Sequence, residues 1–376
     1  MYPLYYKRMY WWKPSSFHIA SLYDPVTLIK RKYWEPWRNL ACSDPSCSRS
    51  VAPGSFPSLE SYTKTRIREE YGTESLEEAG VLHLRERFSN LVPYDHEKFG
   101  DYPDLLKPYL DTIQHRIVYR NGHIIGRSDI MPILDRLDER MKQLTVDVII
   151  MTRNRDEFAV ATVKKLLEQD YPTFRIIVCD QSDIPSLQLK TMAAAVGRLL
   201  YHGAETRGLT VGRNEALSLS SADIIIFIDD DVIPEEGFIE GHVLAYVSER
   251  IGGTAGKIFD TRPWMMEPLP YEKVEKLNTW IGVIRRGFYV NRFLDIDAAQ
   301  GCNMSFRRSV LEQTGGFDSR FGGSALLEET DASLRVRKLG YTIRYTPHAM
   351  LTHLAASTGG CRQPDICFDV YWYAHN

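Results

Sequence analysis

Residues 144–360 alternate short runs of β-branched and apolar residues with segments of helical periodicity, and no other feature constrains the fold as strongly. This alternation is the pattern of βαβ units, in which helices cover the faces of a mainly parallel sheet. The pattern predicts strands at residues 146–151, 175–179, 198–201 and 224–228, and helices at residues 156–169, 210–220 and 328–339. The sequence therefore predicts an α/β fold.

Three parts of the chain differ in composition: an N-terminal extension (residues 1–143), the α/β segment (144–360) and a short tail (361–376). A chain of 376 residues that is 44% hydrophobic has enough apolar material for two domains, or for one large domain with an extension. The extension is predicted to be mostly helical. The tail ends in an aromatic stretch without a helix stop signal, the pattern expected where a longer natural chain continues.

Charge and hydropathy exclude several classes of protein. The formal net charge of −3 differs from the basic excess of a dedicated nucleic-acid binder. No apolar run approaches the ~18 residues that span a bilayer, and the first residues lack the apolar core and cleavage site of a signal peptide. We therefore expect a cytoplasmic protein that binds no nucleic acid.

The six cysteines of the chain are too few, for its length, to form a disulfide framework. Cys179 and Cys302 lie in apolar or tight-turn surroundings and are predicted to be buried reduced thiols. The other four form two loosely spaced pairs, for which a zinc site is the alternative interpretation although no histidine pair accompanies them: Cys42, Cys47, Cys361 and Cys367.

Residues 1–40 are rich in tyrosine, tryptophan and basic side chains. We favour a small helical domain whose aromatic side chains fill its own core or dock on the α/β segment. The alternative is an interfacial surface, because Trp, Tyr, Lys and Arg together suit the headgroup layer of a membrane. That alternative predicts peripheral contact with the inner face of the membrane.

Polar side chains follow three of the predicted strands at the point where each ends: Asn154, Asp180 and Asp229–Asp231. The carboxyl ends of parallel strands share one edge, where ligands bind in open α/β sheets. Three consecutive aspartates repel one another unless a cation or hydrogen-bond donors offset their charge. Their oxygens suit Mg²⁺ or Mn²⁺, which also bind phosphate. A solvated acidic turn is the alternative interpretation.

A second acidic cluster opens the last predicted helix with Glu328, Glu329 and Asp331. Carboxylates in a first turn stabilise the helix dipole, which is one sufficient explanation. The other is a general base at the sheet edge, whose pKa is raised by its acidic neighbours. Neither a dinucleotide-binding glycine motif nor a P-loop is present, and the nucleophile-elbow and H-E-x-x-H motifs are also absent. A site that handles phosphate here would use a metal rather than a glycine cradle.

Residues 145–353 carry, in order, segments that resemble the motifs of glycosyltransferase family 2, whose members have the GT-A fold. VDVIIMTRNR is similar to the family's first strand and turn, and IIVCDQSD to its second strand. TRGLTVGRNEAL and ADIIIFIDDD resemble the N-x-G-x-x-x-A-R-N helix and the Asp-x-Asp strand. QGCNMSFRR, EETDASLRVRKLGY and PHAMLTH resemble the acceptor-side segment, the E-D-x-D-L-x-x-R helix and a late strand ending in a metal-binding histidine. The resemblance implies a Rossmann-like, mixed and mainly parallel sheet flanked by helices.

The resemblance also implies roles for the matching residues. Six would line the nucleotide-sugar pocket, with Asp180 near the base or ribose: Thr152, Arg155, Asp180, Arg213, Asp229 and Asp230. Asp230 holds the variable middle position of its motif and is interpreted as structural. A divalent metal, Mn²⁺ or Mg²⁺, would be bound by Asp231 and His353, although a buried hydrogen-bonded histidine is the alternative for His353.

Glu329 stands where the family usually has the aspartate that acts as general base, so Glu329 is assigned that role and Glu328 is kept as its rival. The acceptor or donor sugar would be framed by Gln300, Asn303, Met304 and Asp331. Residues 261–290 depart from the sheet pattern, which predicts a lid or acceptor loop. Its aromatic side chains would stack on a sugar or pack in the core: Trp264, Trp280 and Phe288.

These parts imply an inverting, metal-assisted transfer of a sugar from a nucleoside-diphosphate sugar to a hydroxyl of a glycan, lipid-linked or other acceptor, as in cell-envelope polysaccharide synthesis. Two alternatives are a protein that binds nucleotide sugars without turnover and a metal-dependent nucleotide-sugar hydrolase. A nucleotidyltransferase would need a glycine-rich loop with a basic residue after the first strand, and TRNRDEF is not such a loop.

Overall fold

A computed structural model describes residues 59–88, 117–120, 123–127, 137–262 and 293–356, with short pieces and single positions at 32, 277–278, 283–284, 287–290, 359–360, 371–372 and 375. The chain divides into two compact units, Met1–Arg140 with Val247–Arg250, and Met141–Tyr246 with Ile251–Asn376. The domain boundaries proposed from composition stay predictions. Several predicted features lie outside the described residues: residues 1–40 apart from Lys32, the cysteines at 42, 47, 361 and 367, Trp264 and Trp280.

The first unit contains two helices, α1 (Leu59–Tyr71) and α2 (Leu76–Phe88), and a hairpin of β1 (Ile117–Arg120) and β2 (His123–Arg127). The Ser75 side chain caps the start of α2, since its hydroxyl accepts the backbone N–H of Glu78 at 3.2 Å. The apolar side chains that the helices bury include Ile67, Val81 and Leu84. Residues 59–88 are therefore helical apart from a short turn, as the sequence predicts for this part of the chain.

The second unit is built on a nine-stranded sheet, whose strands are β3 (Val146–Thr152), β4 (Phe174–Asp180), β5 (Leu199–Gly203), β6 (Ile224–Ile228), β7 (Val232–Pro234), β8 (Ile251–Asp260), β11 (Leu294–Ile296), β12 (Asn303–Arg307) and β13 (Thr342–His353). Their order in the sheet is β11-β13-β8-β12-β6-β3-β4-β5, with β7 paired to β13. Six of these nine described strands run in one direction: β3, β4, β5, β6, β8 and β13. A separate short pair joins β9 (Leu277–Asn278) and β10 (Val283–Ile284).

Helices connect and cover these strands: α3 (Asp156–Leu167), α4 (Leu187–Ala195), α5 (Leu209–Ser218), α6 (Phe238–Val243), α7 (Arg308–Gln313) and α8 (Glu328–Lys338). On α3 the apolar side chains of Val160, Val163 and Leu166 are buried. The fold class expected from the sequence is confirmed, and the element ends differ from expectation by one or two residues. No helix in the described parts of the chain combines the length and apolarity needed to cross a bilayer.

The central strand β6 explains how an acidic loop is held in place. All five of its residues, IIIFI, are at most 2% exposed, and the strand lies between parallel β3 and antiparallel β12. Burying an aliphatic side chain of this size contributes about 1.5–3 kcal/mol. The strand is thereby fixed in the core, and the three aspartates that follow it must emerge at the carboxyl edge of the parallel half of the sheet.

A close approach between α6 and β13 predicts the effect of one substitution. A Cβ at Gly241 would lie 2.4 Å from the backbone carbonyl of His348 and 2.5 Å from the backbone nitrogen of Ala349. Although alanine usually stabilises a helix interior relative to glycine, Gly241→Ala should destabilise the fold by about 1–3 kcal/mol because backbone atoms cannot give way. Gly197→Ala, with no heavy atom within 4 Å, is the matched control and should be nearly neutral in urea denaturation. Equal midpoints for the two variants would contradict this packing.

Candidate active site

The loops after β3 and β4 are joined by hydrogen bonds at the carboxyl edge of the sheet. The Asn154 amide donates to Asp183 at 2.9 Å, and the Asp183 backbone N–H donates back to Asn154 at 3.0 Å. Asn154 takes a left-handed backbone conformation with φ of 55°, which asparagine tolerates better than most residues. The side chains that follow β3 and β4 therefore meet at one edge of the sheet.

The middle aspartate after β6 holds this edge together. Asp230 is 3% exposed, and its carboxylate accepts hydrogen bonds from Thr152 at 2.8 Å and from Arg155 at 2.9 Å. Burial raises the pKa of Asp230 to about 6, although Arg155 and Thr152 oppose that rise. Thr162 on α3 donates to the backbone carbonyls of Asp230 and Val232. Thr152 and Arg155 therefore contact the acidic loop, and Asp230 has the structural contacts expected for it.

The outer two aspartates lie beside a histidine from the far end of the chain. Ligand atoms of Asp229, Asp231 and His353 all lie within 4.8 Å of one another. The His353 Nε2 atom is 3.5 Å from Asp231 Oδ1 and 3.8 Å from Asp229 Oδ2. The Asp229 side chain is 37% exposed, whereas those of Asp231 and His353 are 1% and 9% exposed. The cluster is therefore buried on two sides and open to solvent through Asp229.

Strand register explains why residues 122 positions apart in sequence meet. Antiparallel pairing of β7 with β13 places Val232 opposite His353, and the backbone N–H of Leu354 donates to the Asp231 carbonyl at 2.9 Å. Parallel pairing of β8 with β13 places Asp260 beside His353 on the other side. A shift of one residue in either pairing would turn the imidazole to the opposite face of the sheet.

Asp260 was not identified from the sequence, and it fixes the orientation of the imidazole. Its Oδ2 atom lies 3.0 Å from His353 Nδ1, and Arg262 donates to both carboxylate oxygens. Burial works to raise the pKa of Asp260, but the hydrogen bonds from Arg262 and His353 lower it overall. An ionised Asp260 accepts the Nδ1 proton, so the Nε2 lone pair faces the aspartates. The signal available in the sequence was again an aspartate at a strand end, in a strand we had not predicted.

The cluster fits a divalent cation. Asp231 Oδ1 is a buried oxygen without a hydrogen-bond partner, while its Oδ2 accepts the backbone N–H of Ala356 at 2.7 Å. Burial works to lower the pKa of His353, but Asp231, Asp229 and Asp260 together raise it. The cluster thus requires positive charge, supplied by a proton on His353 or by a metal. Two carboxylates and one imidazole suit Mn²⁺ or Mg²⁺ through their oxygen ligands.

Arg213 and Glu328 form a buried pair beside this cluster. Their side chains are 2% and 3% exposed, and the Arg213 guanidinium donates to Glu328 and, at 3.1 Å, to the Gly301 carbonyl. Burial raises the pKa of Glu328, and the Arg213 charge opposes that rise. We expected Arg213 beside the diphosphate; the structure instead places it in the core, because Glu328 from α8 neutralises it there. The same contact withdraws Glu328 from solvent.

The two remaining acids of α8 have different environments. Glu329 lies in the first turn of the helix and is half-buried, and its charge acts on Arg213 together with that of Asp229. Asp331 pairs with Arg335 at 2.7 Å, and Arg335 also donates to backbone carbonyls of the preceding loop. Asp331, expected at the acceptor, pairs within α8 with the arginine that ties the helix to that loop. Glu329 is the acid of this turn that lies nearer to solvent than Glu328.

The carboxylate of Asp180 accepts hydrogen bonds from the loop that follows β4 and from β5. It is 3% exposed and accepts hydrogen bonds from the backbone of Ser182 and Ser186 and from the Tyr201 hydroxyl at 2.7 Å. Burial works to raise the pKa of Asp180, but these hydrogen bonds lower it overall. Asp180 thus shapes the loop after β4, and its contact with a base or ribose stays a prediction. The exposed carboxylate of that loop is Asp183.

Two of the four residues expected to frame the sugar, Asn303 and Met304, lie in the core. Asn303 and Met304 on β12 are each 0% exposed, and the Asn303 amide donates to the carbonyls of Lys257 and Ala349. Phe288 is 5% exposed and packs on Tyr345, which corresponds to the core-packing alternative. The expected direct contact of Asn303 and Met304 with a sugar is not what the structure shows, because both faces of β12 are covered. Gln300, in the turn before β12, is half-buried.

Sequence comparison relates the segment that forms this edge of the sheet to a known family. Residues 147–315 match the family described as Glycosyl transferase family 2. The matched segment contains Asp229–Asp231 and ends before α8 and His353. Glu329 and His353 therefore lie outside this match, and their roles stay predictions.

Two curated proteins and one solved structure illustrate the similarity. Glucosyl-dolichyl phosphate glucuronosyltransferase of Haloferax volcanii is 25% identical, over 56% of this chain and 69% of that protein. Probable glycosyltransferase YdaM of Bacillus subtilis is 26% identical over 56% of this chain, which spans about half, 51%, of that relative's length. The mannosyltransferase PcManGT from Pyrobaculum calidifontis in complex with GDP-Man and Mn²⁺ aligns with a TM-score of 0.44 at 18% identity, over 61% of this chain and 66% of that chain.

The contact between Asp260 and His353 predicts a loss of metal binding in one variant. In Asp260→Asn the amide can donate to His353 Nδ1, which favours the tautomer protonated at Nε2 and removes the lone pair that faces the aspartates. Mn²⁺ affinity, measured from the electron paramagnetic resonance signal of free Mn²⁺, should fall about 10- to 100-fold.

A second Asp-x-Arg pair supplies the matched control. Asp318 accepts hydrogen bonds from the backbone and guanidinium of Arg320 just as Asp260 does from Arg262, but it contacts no histidine in the described residues. Asp318→Asn should bind Mn²⁺ like the wild type. An equal loss in both variants, or none in Asp260→Asn, would contradict the role given to Asp260.

Proposed function

Residues 147–315 of this chain are a glycosyltransferase family 2 domain, and from that premise we propose that the protein transfers a sugar from a nucleoside-diphosphate sugar to an acceptor hydroxyl, with inversion and with the help of a divalent cation. The α/β fold is the GT-A fold of that family, and the protein is an enzyme of the glycosyltransferase class. Mn²⁺ or Mg²⁺ as cofactor, the single displacement and the acceptor class are the proposed parts.

One observation carries the proposal: Asp229, Asp231 and His353 converge, and a buried Asp231 oxygen that accepts no hydrogen bond lies among them, 3.5 Å from His353 Nε2. Most buried side-chain oxygens in proteins have a hydrogen-bond partner, so an exception beside other charged groups calls for an explanation. Here one oxygen of Asp231 is held in place by Ala356, and the other is left facing the His353 Nε2 atom. This arrangement supports Asp231 and His353 as the residues that hold the cation.

On the donor side, the proposed task of the protein residues is to hold the cation and to orient the donor sugar. Asp231 and His353 would bind the cation, and Asp229, which is open to solvent, would face the ribose or the sugar. Arg155 and Asp230 keep the acidic loop in one conformation through their ion pair at 2.9 Å. A bound divalent cation would neutralise the negative charge that gathers on a diphosphate leaving group. The nucleotide pocket is proposed along the joined loops of Asn154 and Asp183.

Glu329 is proposed as the general base. Its carboxylate would take the proton from the acceptor hydroxyl while the hydroxyl oxygen forms a bond to C1 of the donor sugar. The bond from C1 to the diphosphate oxygen breaks at the same time, and the electron pair leaves with the nucleoside diphosphate. A single displacement on the opposite face inverts the anomeric centre. General-base assistance of this kind contributes about 10²–10⁴ to the rate.

The buried pair of Arg213 and Glu328 supports this assignment of the base. Glu328 is 3% exposed and bonded to the Arg213 guanidinium, so its carboxylate is the less accessible of the two, although its Oε2 atom has no hydrogen-bond partner. Arg213 extends from α5 and Glu328 begins α8, so their contact joins the N-terminal turn of α8 to α5. We propose Glu328 as the anchor that positions Glu329.

A lipid-linked glycan is the acceptor class that we propose. The relative from H. volcanii is named for a dolichyl-phosphate-linked sugar, which is a lipid-bound glycan. The tyrosines, tryptophans and basic residues of residues 1–40 suit the surface where such acceptors lie. Peripheral membrane contact through residues 1–40 is part of this proposal.

Liposome flotation tests the membrane contact. The full chain should float with vesicles that contain anionic lipid, and a variant that lacks residues 1–40 should stay in the lower fraction, since the aromatic and basic anchor is removed. Binding should weaken as salt is raised, because part of the attraction is electrostatic. Equal flotation of both proteins would reject residues 1–40 as the contact.

Substitution of Glu329 tests the proposed reaction. Release of nucleoside diphosphate would be measured with Mn²⁺ and a panel of UDP-, GDP- and dTDP-sugars, in the presence of lipid-linked and free glycan acceptors. Glu329→Gln should lower kcat about 10²–10⁴-fold while leaving the Kd for nucleoside diphosphate and Mn²⁺ unchanged, because only the proton acceptor is lost. Glu329→Asp, which restores the residue usual in the family, should retain most of the activity.

A matched control for Glu329→Gln is Glu157→Gln, an exposed glutamate in the first turn of α3. It should leave kcat unchanged. Full activity in Glu329→Gln would remove the general-base role. Free sugar formed equally with and without acceptor would instead identify the hydrolase, and binding without any diphosphate release would identify a nucleotide-sugar-binding protein.

A further inference from the structure

A second group of metal-ligating side chains lies away from the acidic loop. Cys179 is on β4, His202 is on β5 and Glu215 is on α5, and ligand atoms of the three lie within 4.8 Å of one another. The strand β4 is two positions from β6, whose end carries the aspartates, and β5 is the edge strand of the sheet. None of the three residues has a place in the glycosyl-transfer mechanism proposed above.

Three elements fix the geometry of this group. Cys179 and His202 are directly paired residues of adjacent parallel strands, so their side chains project from the same face of the sheet. The helix α5 packs against β4 and presents Glu215, whose Oε1 atom is 2.8 Å from His202 Nε2. The Thr206 hydroxyl donates to the other Glu215 oxygen at 2.9 Å and thereby orients the carboxylate.

The burial of the three ligands is graded from core to solvent. Cys179 is a free thiol with 0% exposure, whereas the side chains of His202 and Glu215 are 30% and 31% exposed. An ion could therefore enter from the sheet edge and keep a water molecule as a fourth ligand. Three protein ligands and one water is a common arrangement for protein-bound zinc.

We propose that Cys179, His202 and Glu215 form a site for Zn²⁺ that is separate from the carboxylate and imidazole cluster at Asp231. The ligand chemistry distinguishes the two. A thiolate, an imidazole and a carboxylate are the donors of zinc sites, whereas the oxygen-rich cluster suits Mn²⁺ or Mg²⁺. Zinc at this position would tie α5 to the two outer strands, and α5 carries Arg213, the partner of Glu328.

Binding requires the loss of one proton. Burial raises the pKa of the Cys179 thiol to about 12, and the charges of Glu215 and Asp180 add to that rise. The metal-free thiol is therefore neutral, and Zn²⁺ must displace its proton to solvent as the sulfur–zinc bond forms. The hydrogen bond between His202 and Glu215 must open to the same ion, which leaves Thr206 to hold the carboxylate in place.

Cobalt provides a spectroscopic test. The full chain would be treated with chelator, kept reduced and titrated with Co²⁺, whose bond to a thiolate gives a near-ultraviolet charge-transfer band that oxygen and nitrogen ligands do not give. One equivalent of Co²⁺ should produce the band and one equivalent of Zn²⁺ should abolish it. Cys179→Ser should lack the band, whereas Cys302→Ser, which removes the other described buried thiol, should keep it.

Two further variants keep the test decisive. His202→Ala changes a partly exposed position and should weaken Co²⁺ and Zn²⁺ binding at least about tenfold, even if Cys179→Ser fails to fold. Asp231→Asn should retain the full band, because the catalytic cluster contains no sulfur. A wild-type protein without the band, a band that survives in Cys179→Ser, or unchanged affinity in His202→Ala would each overturn the proposal.

Discussion

The site depends on one electrostatic constraint, the close approach of two carboxylates and an imidazole at the end of β6. Carboxylate oxygens of Asp229 and Asp231 lie within 4.8 Å of each other. At that separation two negative charges repel by roughly 3–4 kcal/mol at an effective dielectric constant of about 20. His353 reaches them from the end of β13. Such a cluster persists only with positive charge inside it, and a proton on His353 or a divalent cation can supply that charge.

The rest of the fold keeps this cluster from relaxing. The buried strand IIIFI fixes where the aspartates emerge, and the pairing of β7 and β8 with β13 fixes where His353 points. Asp260 sets the tautomer of the imidazole, and Arg155 neutralises Asp230 so that the middle aspartate adds no free charge to the cluster. The ligands are therefore held in place by backbone register and by hydrogen bonds that do not themselves require a ligand.

Much of this site could be predicted from polar residues that directly follow predicted strands, because that pattern is local in the sequence. An apolar run followed by aspartates is visible in the sequence, and parallel strands bring such ends together whatever the remaining details. His353 could be named only through the family resemblance, since 122 positions and a strand register separate it from Asp231. Asp260 was missed because its strand, IGGTAGKIFD, contains three glycines and does not have a strand-like composition.

Arg213, Asn303 and Met304 were expected to contact the donor or the sugar, and their burial depends on information that a single sequence does not contain. Arg213 was expected at the diphosphate, but whether an arginine faces a ligand or the core depends on a partner 115 positions away, Glu328. Asn303 and Met304 lie on a strand between β6 and β8, where both faces are covered, so alternation along the strand gives no sign of which side chain is exposed. Burial of this kind follows from layer packing, which periodicity does not specify.

Anomalous scattering at the manganese absorption edge, from crystals grown with Mn²⁺ and a nucleoside diphosphate, tests the central claim most directly. The account predicts one strong peak among the carboxylates of Asp229 and Asp231 and the Nε2 atom of His353, with Nδ1 still bonded to Asp260. A peak elsewhere on the protein, or an imidazole whose Nε2 points away from any bound ion, would contradict it.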